Sequence, residues 1–291
     1  MNKHHPVKAV TFALSAALFL TGMNTLAKMA GTTHNAIDIT AWRNAGSLIL
    51  LVAGLFIIRK RELFHTNHLK LQIWRAVIGT IGMALSVWAF ILLPLASVIA
   101  IGFLAPIIAS IIAVFILRER IGIFRIAAIG VGFFGALIVM NAQIEMNIGW
   151  LGICVACGFV CANACVMVTL RALSRVGENS LTTNVYFMGV GLFIILPFLP
   201  LSAIAPNMDT LPILMGMGVV GLASLLLKTE AYQWGPVSLV SPISYTMIIW
   251  AAIMDWFVFD IMIGWPTVIG GAIIIAANIF IVHRERHRPS Q

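Results

Sequence analysis

Charge is what this chain has least of. Asp, Glu, Lys and Arg make up 10% of its 291 residues, against about 25% in a soluble domain. A water-facing shell cannot be built from so few charges. Hydrophobic types reach 61% and the mean hydropathy is +1.03, so lipid is the expected main solvent. Acidic residues are scarcer still, 10 against 18 basic ones. The basic residues form short clusters between apolar runs, not a stripe spaced for phosphates, which argues against nucleic acid as a partner. No Walker-type glycine loop, no His-Glu-x-x-His helix and no Gly-x-Ser-x-Gly elbow occurs, so nucleotide-driven pumping, zinc proteolysis and serine hydrolysis lack their parts.

Cysteine is confined to one stretch, "CVACGFVCANAC", residues 154–165. Cys154, Cys157, Cys161 and Cys165 lie on one side of a helix but climb about 16 Å along it at 1.5 Å per residue. They cannot close round one zinc, and a regular helix holds their sulfurs apart. No metal and no cofactor is expected. Gly158, Ala162 and Ala164 share that side, and small residues let membrane helices approach closely. The thiols are therefore expected to line a packing seam.

What is abundant is long apolar sequence. Runs near 7–27, 40–58, 71–93, 95–117, 123–141, 149–170, 182–204, 210–230, 236–259 and 264–283 each have the length that crosses a hydrocarbon core. The first follows Lys3 and Lys8 but is long enough to span, so it reads as a transmembrane helix and not a cleaved signal. With ten spans, all 18 lysines and arginines except Lys28 and Arg43 fall on one side. Positive residues stay cytoplasmic, so both termini are expected in the cytoplasm of a multi-pass protein of the cell inner membrane.

The second half echoes the first at an offset of about 141. "PLASVIAIGFLAP" (94–106) meets "GPVSLVSPISYTM" (235–247), Glu119 meets Asp260, Gly130 meets Gly271 and Ala136 meets Ala277. Five spans per half is an odd number, so the second half lies upside-down relative to the first. Inverted repeats are a construction plan of secondary transporters, with the substrate site between the halves near the midplane. The expected fold is an all-α membrane protein of ten transmembrane helices, built as two inverted five-helix repeats over 1–143 and 144–291.

Several stretches carry a resemblance. "LRER" after span four, "LPLASVIAIGFLAP", "GPVSLVSPISYTMIIWAAIMDWFVFD" with "GWPTVIGGAIIIAANI", and the "WRN" and "WRAVIGTIGM" openings of spans two and three are similar to the drug/metabolite transporter superfamily, EamA type. Asp260 departs from the Glu more usual there. The resemblance implies a carrier and not an enzyme, with a cavity lined by spans one, three, four, six, eight and nine. It also implies substrates among amino acids, nucleotide-like metabolites, vitamins and drugs. The expected function is secondary transport, by alternating access, of a small polar or amphipathic metabolite. An amino-acid-like compound is the first choice; S-adenosylmethionine or riboflavin uptake and export of a drug or cation are the alternatives. An intramembrane enzyme and a channel are the remaining classes. The expected partners are that small molecule and the lipid bilayer, with a homodimer left open.

Candidate residues come from polar or aromatic side chains inside spans. Asn24 shares a side of span one with Thr21 and Lys28; Lys28 is expected to snorkel to the interface. Arg43 either pairs with Asp38 or lines a mouth. Arg75, on a stripe with Gly79, Gly82 and Ser86, reads more as an anchor than a ligand. Asn163 projects opposite the thiols, toward a neighbouring helix or a substrate. Pro106 interrupts span four, and Pro242 interrupts span nine among Ser238, Ser241 and Tyr245; freed carbonyls are tolerable where a cavity exists. Trp88 and Trp250 can stack on a flat or cationic substrate or sit in the interfacial belt. The substrate-binding set is thus Asn24, Arg43, Trp88, Pro106, Asn163, Ser241, Tyr245 and Trp250. Glu230 and Asp255, the carboxylates nearest hydrocarbon, are the candidates for ion coupling.

Overall fold

A computed structural model describes residues 5–57, 64–117, 123–145, 150–199, 207–234, 240 and 243–286. Among them the regular structure is helical: α1 (Pro6–Ala30), α2 (Ala36–Ile57), α3 (Leu69–Leu92), α4 (Leu95–Gly102), α5 (Ala105–Leu117), α6 (Ile123–Glu145), α7 (Trp150–Arg175), α8 (Ser180–Ile195), α9 (Leu211–Trp234), α10 (Met247–Phe259) and α11 (Trp265–Arg286). Short 3-10 turns, Leu196–Phe198 and Ser244–Thr246, extend α8 and precede α10.

Six helices, α1, α2, α3, α7, α8 with its 3-10 turn, and α9, are long and apolar enough to cross a membrane. Apolar helical stretches Leu95–Ala109, Gly130–Met140, Ser244–Phe259 and Trp265–Phe280 supply the other four spans. Helices that are apolar all round belong in hydrocarbon, not at a water interface. Large side chains such as Leu137, Phe193, Ile249 and Trp265 accordingly face outward.

The contacts between helices come in exchanged pairs, as two inverted repeats require. The α1 packing on α9 is matched by α7 on α3, α2 on α9 by α8 on α3, and α1 on α10 by α7 on α5. The pairs α6 with α11 and α2 with α8 map onto themselves, and so does the contact between spans four and nine, made through α4 and α10. Each half therefore fills gaps in the other, and the interface between repeats is the protein's interior.

Two of these crossings need glycine. A Cβ on Gly218 of α9 would lie 2.9 Å from the Gly46 backbone of α2. One on Gly270 of α11 would lie 2.5 Å from the Gly135 carbonyl oxygen of α6. Backbone meets backbone at both points, the small-residue packing used where lipid removes the hydrophobic drive between helices.

Span four is broken between Gly102 and Ala105. Pro106 is the cause: it has no N–H, and its ring excludes the carbonyl of Gly102 from regular helical geometry. In span nine the 3-10 turn Ser244–Thr246 leads into α10; Pro242, with Ser238 and Ser241, lies outside the described residues. Helix α10 ends on Asp260, the described non-glycine residue with positive φ, 53°. The next amide, Ile261 N–H, donates back to the Asp255 carbonyl at 2.9 Å, the bond that closes a helix on a left-handed residue. Asp tolerates that conformation better than longer side chains do, which accounts for an Asp where the resemblance suggests Glu.

The thiols do not occupy the tightest seam. Cys154 and Cys161 are exposed and Cys157 and Cys165 only half-buried. The α7 surface against α3 runs beside them, where a Cβ on Gly82 would come 3.0 Å from Ala162.

Candidate functional site

A central chamber of about 380 Å³ lies between the repeats. Span one contributes Ala13, Ala17 and Asn24; the break in span four contributes Gly102, Phe103 and Pro106; α7 contributes Phe159 and Asn163; α9 contributes Ser224 and Lys228. Two smaller lobes adjoin it. One, of about 160 Å³, is lined by Arg75, Gly79, Ser86, Asn163 and Phe187. The other, of about 170 Å³, is lined by Asn44, Ser47, Asn184, Ser224 and Lys228. Arg43 of α2 lines all three. The expected wall of spans one, three, four, six, eight and nine is therefore joined by span two through Arg43, and by span seven through Asn184 and Phe187.

The chamber owes its shape to the helix break. At the break the Leu104 N–H donates to the Ile101 carbonyl at 3.0 Å, three residues back instead of four, and the Phe103 carbonyl accepts from the Asn278 side-chain amide of α11 at 2.9 Å. Phe103 turns its ring into the wall, with Tyr245 edge-on to it at 4.8 Å between ring centres. Broken helices at mid-membrane occur where backbone borders a cavity.

One end of the chamber is packed shut. Met23, Ala27 and Ala30 of α1 meet Ile39, Val87, Leu214 and Met217 in a buried cluster at the C-terminal end of α1. Beside it the Lys28 ammonium lies 3.4 Å from Asp255. It also donates to the Leu93 carbonyl at 3.0 Å and lies 4.7 Å above the Phe259 ring. The Asp255 carboxylate, fully buried, accepts from the Leu95 and Ala96 amides at 3.0 and 2.9 Å. These are first-turn amides of α4, which have no partner within their own helix, and a carboxylate there also meets the positive end of the helix dipole. Lys28 turns inward to a partner instead of snorkelling.

Of the residues singled out from sequence, Asn24, Arg43, Pro106 and Asn163 line the chamber. Tyr245 supports Phe103 from behind. Trp88 is 40% exposed on the outer surface of α3. Trp250 is half-buried, with an indole N–H that meets no acceptor among the described residues. Ser241 lies outside the described residues. Glu230 accepts from the Trp234 indole N–H at 3.2 Å, and Asp255 belongs to the closed end. Arg75, Lys228, Ser86, Phe103 and Phe159 were not in that set. A charge written inside an apolar run was the available signal for Arg75, and its likeness to a span-end anchor hid it.

The chain matches the EamA-like transporter family twice, over residues 7–141 and 150–283. It is 26% identical to a riboflavin transporter of Vibrio cholerae, across 97% of this chain and 95% of that protein. It is 24% identical to an S-adenosylmethionine uptake transporter of Rickettsia prowazekii, across 90% and 87%, and 23% identical to a pseudopaline exporter of Pseudomonas aeruginosa, across 95% and 96%. A crystal structure of a protein 15% identical superposes with a TM-score of 0.65 over 96% of this chain and 99% of that one, a likeness of fold. A family matched in both halves, relatives of full length and a chamber between inverted repeats converge on one conclusion: this chain belongs to the EamA-like transporter family of the drug/metabolite transporter superfamily, a multi-pass membrane transporter of small molecules and not an enzyme.

Proposed function

We propose that the protein is a secondary carrier of the bacterial inner membrane that moves a small polar or amphipathic metabolite by alternating access. The observation that carries this reading is the chamber at the repeat interface, shut at one end by the Met23–Met217 cluster and the Lys28–Asp255 pair. The distribution of Lys and Arg supports cytoplasmic termini. On that orientation the shut end is periplasmic and the chamber serves the cytoplasmic side. The repeats divide at 143/144, and rocking of one against the other would open the far end.

An amino-acid-like metabolite is the first substrate class. The riboflavin and S-adenosylmethionine transporters among the relatives make those two solutes the immediate alternatives, and aromatic walls at Phe103 and Phe159 suit a flat ring. A drug-like cation is disfavoured by Arg43 and Lys228 in the lining. Counterflow in proteoliposomes tests the reading. Vesicles preloaded with unlabelled riboflavin, S-adenosylmethionine or an amino-acid mixture should accumulate the matching labelled solute transiently and saturably. Flux without saturation or counterflow would indicate a channel, and a reporter fused after Gln291 that was active in the periplasm would reverse the orientation.

A further inference from the structure

The charges bordering the chamber and its lobes are all of one sign. Arg43, Arg75 and Lys228 line them, and among the described residues no Asp or Glu does. Asp255 is committed to Lys28 and the α4 amides, and Glu230 to Trp234. The smaller lobe is the extreme case, since Arg43 and Arg75 both face it.

Arg75 is 7% exposed, yet its Nε and Nη1 meet no hydrogen-bond partner among the described residues. Its guanidinium carbon lies 4.3 Å from the centre of the Phe187 ring, a contact with the ring face that is not a hydrogen bond. The Asn44 amide nitrogen, also buried without a partner among the described residues, lines the adjoining lobe. A buried charge without counter-charge costs several kcal/mol in general, and two guanidinium groups bordering one lobe repel each other as well. A buried cation without counter-charge beside a cavity is a candidate ligand site. Guanidinium presents its donors as a planar fork matched to a carboxylate.

We infer that the lobe between Arg43 and Arg75 seats the carboxylate of an organic anion whose apolar body lies in the chamber against Phe103 and Phe159. The inference rests on the transport reading, because the bound anion is the transported solute. It narrows the substrate from polar metabolites in general to those carrying a carboxylate. The sizes agree, a lobe of about 160 Å³ for the head beside a chamber of about 380 Å³ for the body.

A matched series of probes tests it on the purified full-length protein in a low-chloride buffer: 3-phenylpropanoate, 3-phenylpropanamide and 3-phenylpropylamine, which share a body and differ in the head group. Binding is read by isothermal titration and by the shift in thermal midpoint. The carboxylate is expected to bind at least tenfold more tightly than the amide, and the amine not at all. Arg43→Gln and Arg75→Gln should each erase the preference for carboxylate over amide, and Arg75→Lys should restore part of it. Without ligand, Arg75→Gln should unfold at the same temperature or higher, because it removes an uncompensated buried charge; a purely structural Arg75 would make it unfold lower. Equal binding of carboxylate and amide, no binding of any probe, or a preference that survives both Gln variants would overturn the assignment. The two readings fail separately. Counterflow of a solute without carboxylate preference would sink this inference and leave transport standing; carboxylate binding with no counterflow of the bound anion would sink transport.

Discussion

Lys28 of α1 and Asp255 of α10 stand 3.4 Å apart, although 227 residues separate them in the chain. The pair joins the first span to the ninth, and the Asp255 carboxylate holds the start of α4 as well. A buried ion pair broken on one side is costly, because the survivor keeps its charge without compensation. Lys28→Met and Asp255→Asn should each destabilise the protein by about 3 kcal/mol. The double variant should lose less than the sum by at least about 1 kcal/mol. Thermal unfolding of the four proteins in one detergent measures this, and additive losses would show that the pair contributes no coupling.

The α6–α11 crossing makes a steric prediction. A Cβ at position 270 would meet the Gly135 carbonyl oxygen, a backbone atom that cannot rotate away. Gly270→Ala should cost about 2 kcal/mol. Gly54→Ala, where a Cβ meets nothing within 4 Å, should be neutral or slightly stabilising in mid-helix. Equal effects of the two on the thermal midpoint would mean that the crossing is looser than it stands here.

The left-handed residue at the end of α10 separates conformation from charge. Asp260→Gly should leave stability unchanged or raise it, since glycine adopts φ of 53° without strain. Asp260→Val should lose about 1–2 kcal/mol, because a β-branched side chain is poorly tolerated there. If Val matched Asp and Gly, the helix would end in some other way.

Transport kinetics should sort the candidate residues by their position. Asn163→Ala, which opens the chamber wall, should raise KM about tenfold, the cost of one or two lost hydrogen bonds. Trp88→Ala, on the outer surface of α3, should leave KM within about twofold and act on stability alone. Tyr245→Ala removes the support behind Phe103 and should fall between them. Counterflow in proteoliposomes reads all three, and a Trp88 effect as large as that of Asn163 would move the binding site.

Much of the architecture was legible without coordinates because the bilayer permits so few solutions. Spans must be long, apolar and helical, so the ten runs could be counted. The sidedness of Lys and Arg and the odd number of spans per half then implied inversion. Pro106 announced the break in span four because its chemistry acts on its own helix. Asn163 could be aimed by helical periodicity, since it had to face away from the thiols.

Other residues defeated the same reasoning because their roles lie across the interface between repeats. Asp255 looks in the chain like an intramembrane acid free for coupling; only the fold brings it to Lys28 and the α4 amides. Arg75 looks like an anchor until the lobe beside it is seen to hold a second guanidinium and no acid. The exposed thiols show that a seam of small residues can be recognised from sequence while its exact facing cannot.

The amino-acid order alone determined the solvent of this protein, the number of its spans and the inverted repeat, because each follows from local composition and length measured against a bilayer of fixed thickness. Tertiary structure alone decided which buried charges neutralise one another and which border the chamber with no acid in its lining. Coulomb energy and desolvation depend on distances between helices, and those distances exist only once the two halves have packed.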